Sequence, residues 1–235
     1  MKKLFLLLSS LLFGFVGGGR AALAAGSFND ETILDWQVKV NTDFQRAHPE
    51  IVQQALALLT KELQAITTTV PPQRLGTLRR AIFWLDERVP EGAPSARAPT
   101  FHPSREWLQQ HGLNPDMAGG IELPNAQTFL DSYSWEPWAM MHELAHFYHF
   151  TVLGEGYAPI LNAYHHARDA HLYESVEHYD GKMMPAYALE NEKEYFAELT
   201  EAYFGRNDFF PFTRGDLRSY DPTGFALMQE VWEAP

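Results

Sequence analysis

The stretch WAMMHELAHFYHF, residues 138–150, sets two histidines four positions apart with a glutamate directly after the first. Pro137 opens a helix that the sequence carries to Leu153, where Gly154 supplies a left-handed C-terminal cap. On that helix His142 and His146 differ by about 40° around the axis, so they project from one face one turn apart. Such a pair can bring two imidazole nitrogens to one tetrahedral metal ion at about 2.0–2.1 Å. Glu143 is turned by about 100° from His142 and about 60° from His146. It therefore stands beside such an ion rather than on it, where it can take a proton from an attacking water. The pentapeptide alone is only suggestive, because a helix with surface or packed histidines carries the same letters. A third ligand has to be found.

An extended pattern on the same segment would need Gly at 149 and His at 152, whereas the chain has His149 and Val152. His149 itself shares the helix and cannot complete a tetrahedron without bending it. Downstream, AYALENEKEYFAELTEAYFG, residues 186–205, predicts a helix from Asn191 to Phe204 stopped by Gly205. Glu194 and Glu198 lie four apart on one face of it. Glu194 can bind a metal directly, and Glu198, one turn on, can accept a hydrogen bond from the outer nitrogen of a ligand histidine. Spacing leaves an alternative open: Glu190, Glu192 and Glu201 crowd the same stretch, as on an exposed acidic face.

The chain opens MKKLFLLLSSLLFGFVGGGRAALAA. Two lysines, an apolar run from Leu4 to Val16 and the small residues of Ala22-Leu23-Ala24 give the layout of a secretory leader, cleaved near Ala24 or Ala25. The run is shorter than the roughly 20 apolar residues of a membrane span. Residues 26–235 then form one domain, exported to the periplasm or the exterior, without membrane insertion once the leader is removed. There are no cysteines, so disulfides are excluded and any metal site must use histidine and carboxylate ligands. The net charge is −12, and a leader carrying Lys2, Lys3 and Arg20 but no acid leaves −15 behind. Such a surface repels nucleic acid.

Periodicity places an amphipathic helix at 49–67, with Val52, Leu56, Leu59, Leu63 and Ile66 on one face. Ala81–Leu85 reads as a strand, 89–99 as a surface loop, and a short helix follows Ser104. Gly119–Leu123 reads as a strand closed by Pro124, at an edge or a strand end. A helix at 159–171 carries His165, His166 and His171 on a solvent face. Asp180-Gly181 predicts a hairpin between 173–179 and 182–187, with His178 opposite the Tyr187 strand. A last helix follows Asp221-Pro222. Helices flanking a small, mostly antiparallel sheet make the fold α+β.

The pair HELAH and YALENEKEYFAE resembles the gluzincin metallopeptidases, most closely the zinc-domain type found in anthrax toxin lethal factor. There a tyrosine likewise precedes the ligand glutamate by seven residues, in a Tyr-x(3)-Asn-x-x-Glu-x-Phe-Ala-Glu run. Here that run is Tyr187, Asn191, Glu194, Phe196, Ala197 and Glu198. The stretch from FHPSREWL to FGRNDFFPF also resembles a widespread group of exported bacterial zinc peptidases. The resemblance implies a single zincin-like domain with one zinc ion per chain, held by His142, His146 and Glu194. Glu143 is then the base, Tyr187 stabilises the oxyanion, and Asn191 and Glu198 support the ligands. A peptide or protein substrate is expected to add as a strand along Gly120, Ile121 and Glu122, with His178 in reach. Two competitors remain: a zinc amidase acting on cell-wall peptides or glycopeptides, and a non-catalytic zinc-binding module. The second would dispense with Glu143 and Tyr187, and both are present.

Overall fold

In the computed structural model, which describes residues 26–87 and 98–234, a five-stranded sheet and ten α-helices surround a main core, with a smaller cluster of Trp84, Leu108, Leu113 and Met117 beside it. The leader and most of the 89–99 loop lie outside the described residues. The chain begins with the antiparallel pair β1 (Phe28–Ile33) and β2 (Trp36–Asn41), then runs through α1 (Thr42–Ala47), α2 (Pro49–Thr69) and α3 (Pro72–Leu78). This crossover lets β3 (Phe83–Leu85) pair parallel to β2. The edge strand β4 (Thr100–Phe101), α4 (Arg105–Gln110) and β5 (Ile121–Leu123) follow. Because β5 lies parallel to β3 and antiparallel to β4, the sheet order is β1-β2-β3-β5-β4 and the sheet is mixed, not mostly antiparallel.

That order removes β5 from an edge, while Pro124, directly after Leu123, marks the strand end that was the other reading. Ile121 and Glu122 are buried between neighbours, and Glu122 Oε2 lies 2.7 Å from His102 Nε2. A Cβ on Gly120 would come within 2.8 Å of the Ile82 carbonyl oxygen, so glycine there serves close strand packing. Gly120, Ile121 and Glu122 therefore lie inside the sheet, whose edge strands are β1 and β4.

The second half is helical: α5 (Ala126–Ser132), α6 (Ala139–Tyr148), α7 (Ala158–Asp169), α8 (Glu192–Phe204), α9 (Arg214–Tyr220) and α10 (Pro222–Met228). Between α7 and α8 the hairpin is shorter than its turn signal implies, with only β6 (Val176–Glu177) and β7 (Met183–Met184) paired around Gly181 at φ 80°. Tyr187 consequently falls in a 3-10 turn, Tyr187–Leu189, and not on a strand. No described helix is long and apolar enough to cross a membrane.

Every residue of α6 is buried, and the helix widens into a π turn at His149–Leu153 before Gly154 ends it at φ 84°. Trp138 offers α6 no side-chain cap. The cap comes from α2 instead, where Glu62 Oε2 accepts the Met140 N–H at 3.2 Å. Glu62 breaks the apolar stripe of α2, yet it is only 3% exposed. Burial raises its pKa to about 8, opposed by the Met140 N–H and reinforced by Glu201.

Since the folded pKa exceeds the unfolded one, Glu62 stabilises most fully below pH 4.5, and that contribution is lost as pH rises through about 8. Glu62→Gln keeps an acceptor for Met140 and never ionises. Its melting temperature should match wild type near about pH 5 and exceed it by the equivalent of a few kcal/mol near about pH 9. Parallel melting curves across that range would contradict the assignment.

Candidate metal centre

The site forms where α6 faces α8. Asn191 caps α8, accepting from the Lys193 and Glu194 N–H groups at 2.9 and 3.1 Å, and so fixes the first turn that carries Glu194. From that turn Glu194 Oε2 lies 3.1 Å from His142 Nε2 and 3.2 Å from His146 Nε2. The two imidazoles meet edge to face, with ring centroids 4.8 Å apart. A tetrahedron with arms of about 2.0–2.1 Å has edges of about 3.3 Å. The two distances from Glu194 thus already match such edges, and all three donor atoms lie within 4.8 Å of one another. His142, His146, Glu194, Glu198 and Glu201 are close enough together to hold a metal ion.

Glu201, expected on a solvated face, is fully buried, and its Oε1 lies 2.7 Å from His142 Nδ1. A carboxylate only accepts, so Nδ1 carries a proton toward Glu201, and Nε2, which faces Glu194, is the nitrogen whose proton a cation would displace. The role expected of Glu198 therefore falls to Glu201. Glu198 stays 3.9 Å from the same nitrogen and accepts instead from Asn207 Nδ2 at 3.1 Å. The sequence held a signal for this, since 194, 198 and 201 repeat at i, i+4 and i+7 on one helical face.

Charge in the site is balanced against burial. Burial acts to lower the His142 pKa, but Glu194 and Glu201 hold it well above the usual range. For Glu194 burial pushes upward, and its bonds to both histidines hold it far below the ordinary carboxylate range. Behind them Glu198, Glu136 and Asp208 are all raised, chiefly by burial and then by neighbouring carboxylates, Glu201 among them in each case, with Asp208 at about 7. A divalent cation replaces protons in such a donor set.

Glu143 stands beside the three donors and does not join them. Its Oε2 accepts the Phe101 N–H of β4 at 2.6 Å. Burial raises its pKa, while His142, His146 and that N–H restrain the rise. No sequence pattern announces a backbone donor from a two-residue strand. The Tyr187 ring lies 6.4 Å from that of His142, at 26° to it, and the side chain is 42% exposed. Its hydroxyl is nevertheless desolvated enough to raise its pKa, and Glu194 raises it further.

The remaining histidines separate from the site. His165, His166 and His171 are exposed. His149 turns into the core against Phe196, and burial lowers its pKa to about 4. His178 is buried behind the hairpin, with Nδ1 2.9 Å from Asp180 Oδ1 and its ring 4.7 Å from that of Phe209. Comparison of the chain with protein-family models, curated proteins and solved structures finds no match.

If Glu201 fixes the His142 tautomer, Glu201→Ala should weaken binding of zinc, used as the probe, by about 10–100-fold. Glu198→Ala should weaken it less. Competition against a chromophoric chelator measures both, and wild-type affinity in Glu201→Ala would contradict the tautomer assignment.

Proposed function

We propose that this chain is an exported zinc-dependent peptidase with a zincin-like domain of the gluzincin type. The observation that carries the reading is the convergence of His142, His146 and Glu194, with Glu143 fixed beside them and Tyr187 facing the same space. Export rests on the leader-like opening. Held by His142, His146 and Glu194, zinc would supply a Lewis acid and make water acidic enough to lose a proton near neutral pH.

The chain's own residues perform the rest. The Phe101 N–H aims the Glu143 carboxylate, which accepts a proton from the attacking water and returns it to the leaving nitrogen. Because the Tyr187 hydroxyl holds its proton more tightly than an ordinary phenol, it remains a donor throughout the working pH range. It donates to the carbonyl oxygen as negative charge develops there. His102 turns its backbone N–H and C=O toward Gly120 and Gly119, so those of Phe101 point outward. The Phe101 N–H is already given to Glu143, so an extended peptide along β4 would be held there through the Phe101 carbonyl, beside Glu143. This replaces the β5 path expected from the sequence.

Glu143→Gln should retain metal and fold but lose roughly 10²–10⁴-fold in turnover. Tyr187→Phe should lower turnover by about 10²–10³-fold with little change in KM. Peptide-library cleavage followed by mass spectrometry, with elemental analysis of each variant, tests both. Equal cleavage by wild type and Glu143→Gln would remove the proposed chemistry from this site.

A further inference from the structure

The stretch FHPSREW, residues 101–107, reaches the proposed centre through one backbone donor. That donor is the Phe101 N–H, 2.6 Å from Glu143 Oε2, and it is carried by a strand of two residues. Strand β4 meets β5 only at the pairs Thr100–Glu122 and Phe101–Ile121. A ladder that short holds a strand weakly, so the place of the Phe101 N–H has to be fixed by something else.

His102 supplies the fixing. Its backbone closes on the turn before β5, donating to the Gly120 carbonyl oxygen at 3.0 Å and accepting the Gly119 N–H at 2.7 Å. Its side chain crosses diagonally on one face of the strand pair, bringing Nε2 to 2.7 Å from Glu122 Oε2. The two side chains are only 3% and 1% exposed. A polar bond this deep is costly to break, because water does not replace the lost partner. Trp107 of α4 lies over the His102 ring at 6.2 Å and 25°, and stacks in turn on His111 at 3.9 Å and 20°. The helix beneath them is anchored at both ends of its first turn. Ser104 Oγ accepts the Trp107 N–H at 3.1 Å, and Leu108 is buried among Trp84, Leu113 and Met117.

We infer that His102 and Glu122 are positioning residues for the proposed reaction, their bond setting β4 so that the Phe101 N–H holds Glu143. Successive residues of a strand turn their backbone groups to opposite sides. Locking His102 toward β5 therefore commits the Phe101 N–H to the other side, where Glu143 stands. The inference rests on the peptidase reading for its chemistry, but the link from His102 to the Phe101 amide is measurable without any activity. A pair that only stabilised the sheet would leave Glu143 indifferent to it.

The test uses the zinc-loaded chain with two polar variants. In His102→Gln the amide nitrogen takes the place of Nε2, whereas in His102→Asn it falls short by a methylene. Exchange of the Phe101 amide, followed by NMR, should be about tenfold faster or more in His102→Asn and close to wild type in His102→Gln. On a peptide found by library cleavage, kcat should fall roughly ten- to a hundredfold in His102→Asn, by more than KM rises, and recover in His102→Gln. Trp107→Ala, a change at the surface that leaves the core intact, should speed Phe101 exchange in the same direction. Phe101 exchange unchanged in both His102→Asn and Trp107→Ala would overturn the inference. So would a normal kcat in a His102→Asn chain that has lost only thermal stability. No cleavage by wild type, with Phe101 exchange still governed by His102, would keep the linkage and sink the peptidase reading. Cleavage with Phe101 exchange indifferent to His102 would do the reverse.

Discussion

Between α6 and α8 the contact around which the rest is arranged is His142, with Glu201 2.7 Å from one ring nitrogen and Glu194 3.1 Å from the other. Charged groups this deep cost several kcal/mol each unless they are paired and hydrogen-bonded. The fold meets that cost with a chain of partners. Glu194 and Glu201 are supplied from two turns apart on α8, whose start Asn191 fixes, and α6 is capped from α2 by Glu62. Removing one member leaves another buried without compensation, so these residues stand or fall together. Apolar packing of Leu144, Phe196, Leu199 and Trp232 around them supplies the low-dielectric surroundings in which each pairing is strong.

The contribution of the sequence is uneven for physical reasons. Helical period was readable wherever one face is apolar, so α2, α6 and α8 were expected within a few residues of their observed limits. Local chemistry was readable too: Ser104, Asn191 and Asp221 cap helices as their side chains imply. Sheet order was not, because β3, β4 and β5 have at most three residues each and are buried, so no alternation marks which neighbour each takes. That is how β5 came to be expected at an edge that β4 occupies. Similarly, the letters of Glu198 and Glu201 do not reveal which of them reaches His142. The choice depends on how far α6 sits along α8, which is a matter of tertiary packing.

The edge strand β4 and the proposed base are joined by one hydrogen bond, from the Phe101 N–H to Glu143. Elsewhere the described residues leave Tyr179 and Met183 exposed, although Trp36, Tyr195 and Trp232 are buried completely.

The most direct test of the account is zinc-edge X-ray absorption of the purified chain after extensive dialysis. The account predicts about one zinc per chain, bound by two imidazole nitrogens and carboxylate or water oxygens at roughly 2.0–2.2 Å. One of the two imidazole contributions should disappear in His146→Ala. A zinc-free protein, or a coordination sphere with an unchanged imidazole count in that variant, would contradict the claim that α6 and α8 meet at a metal.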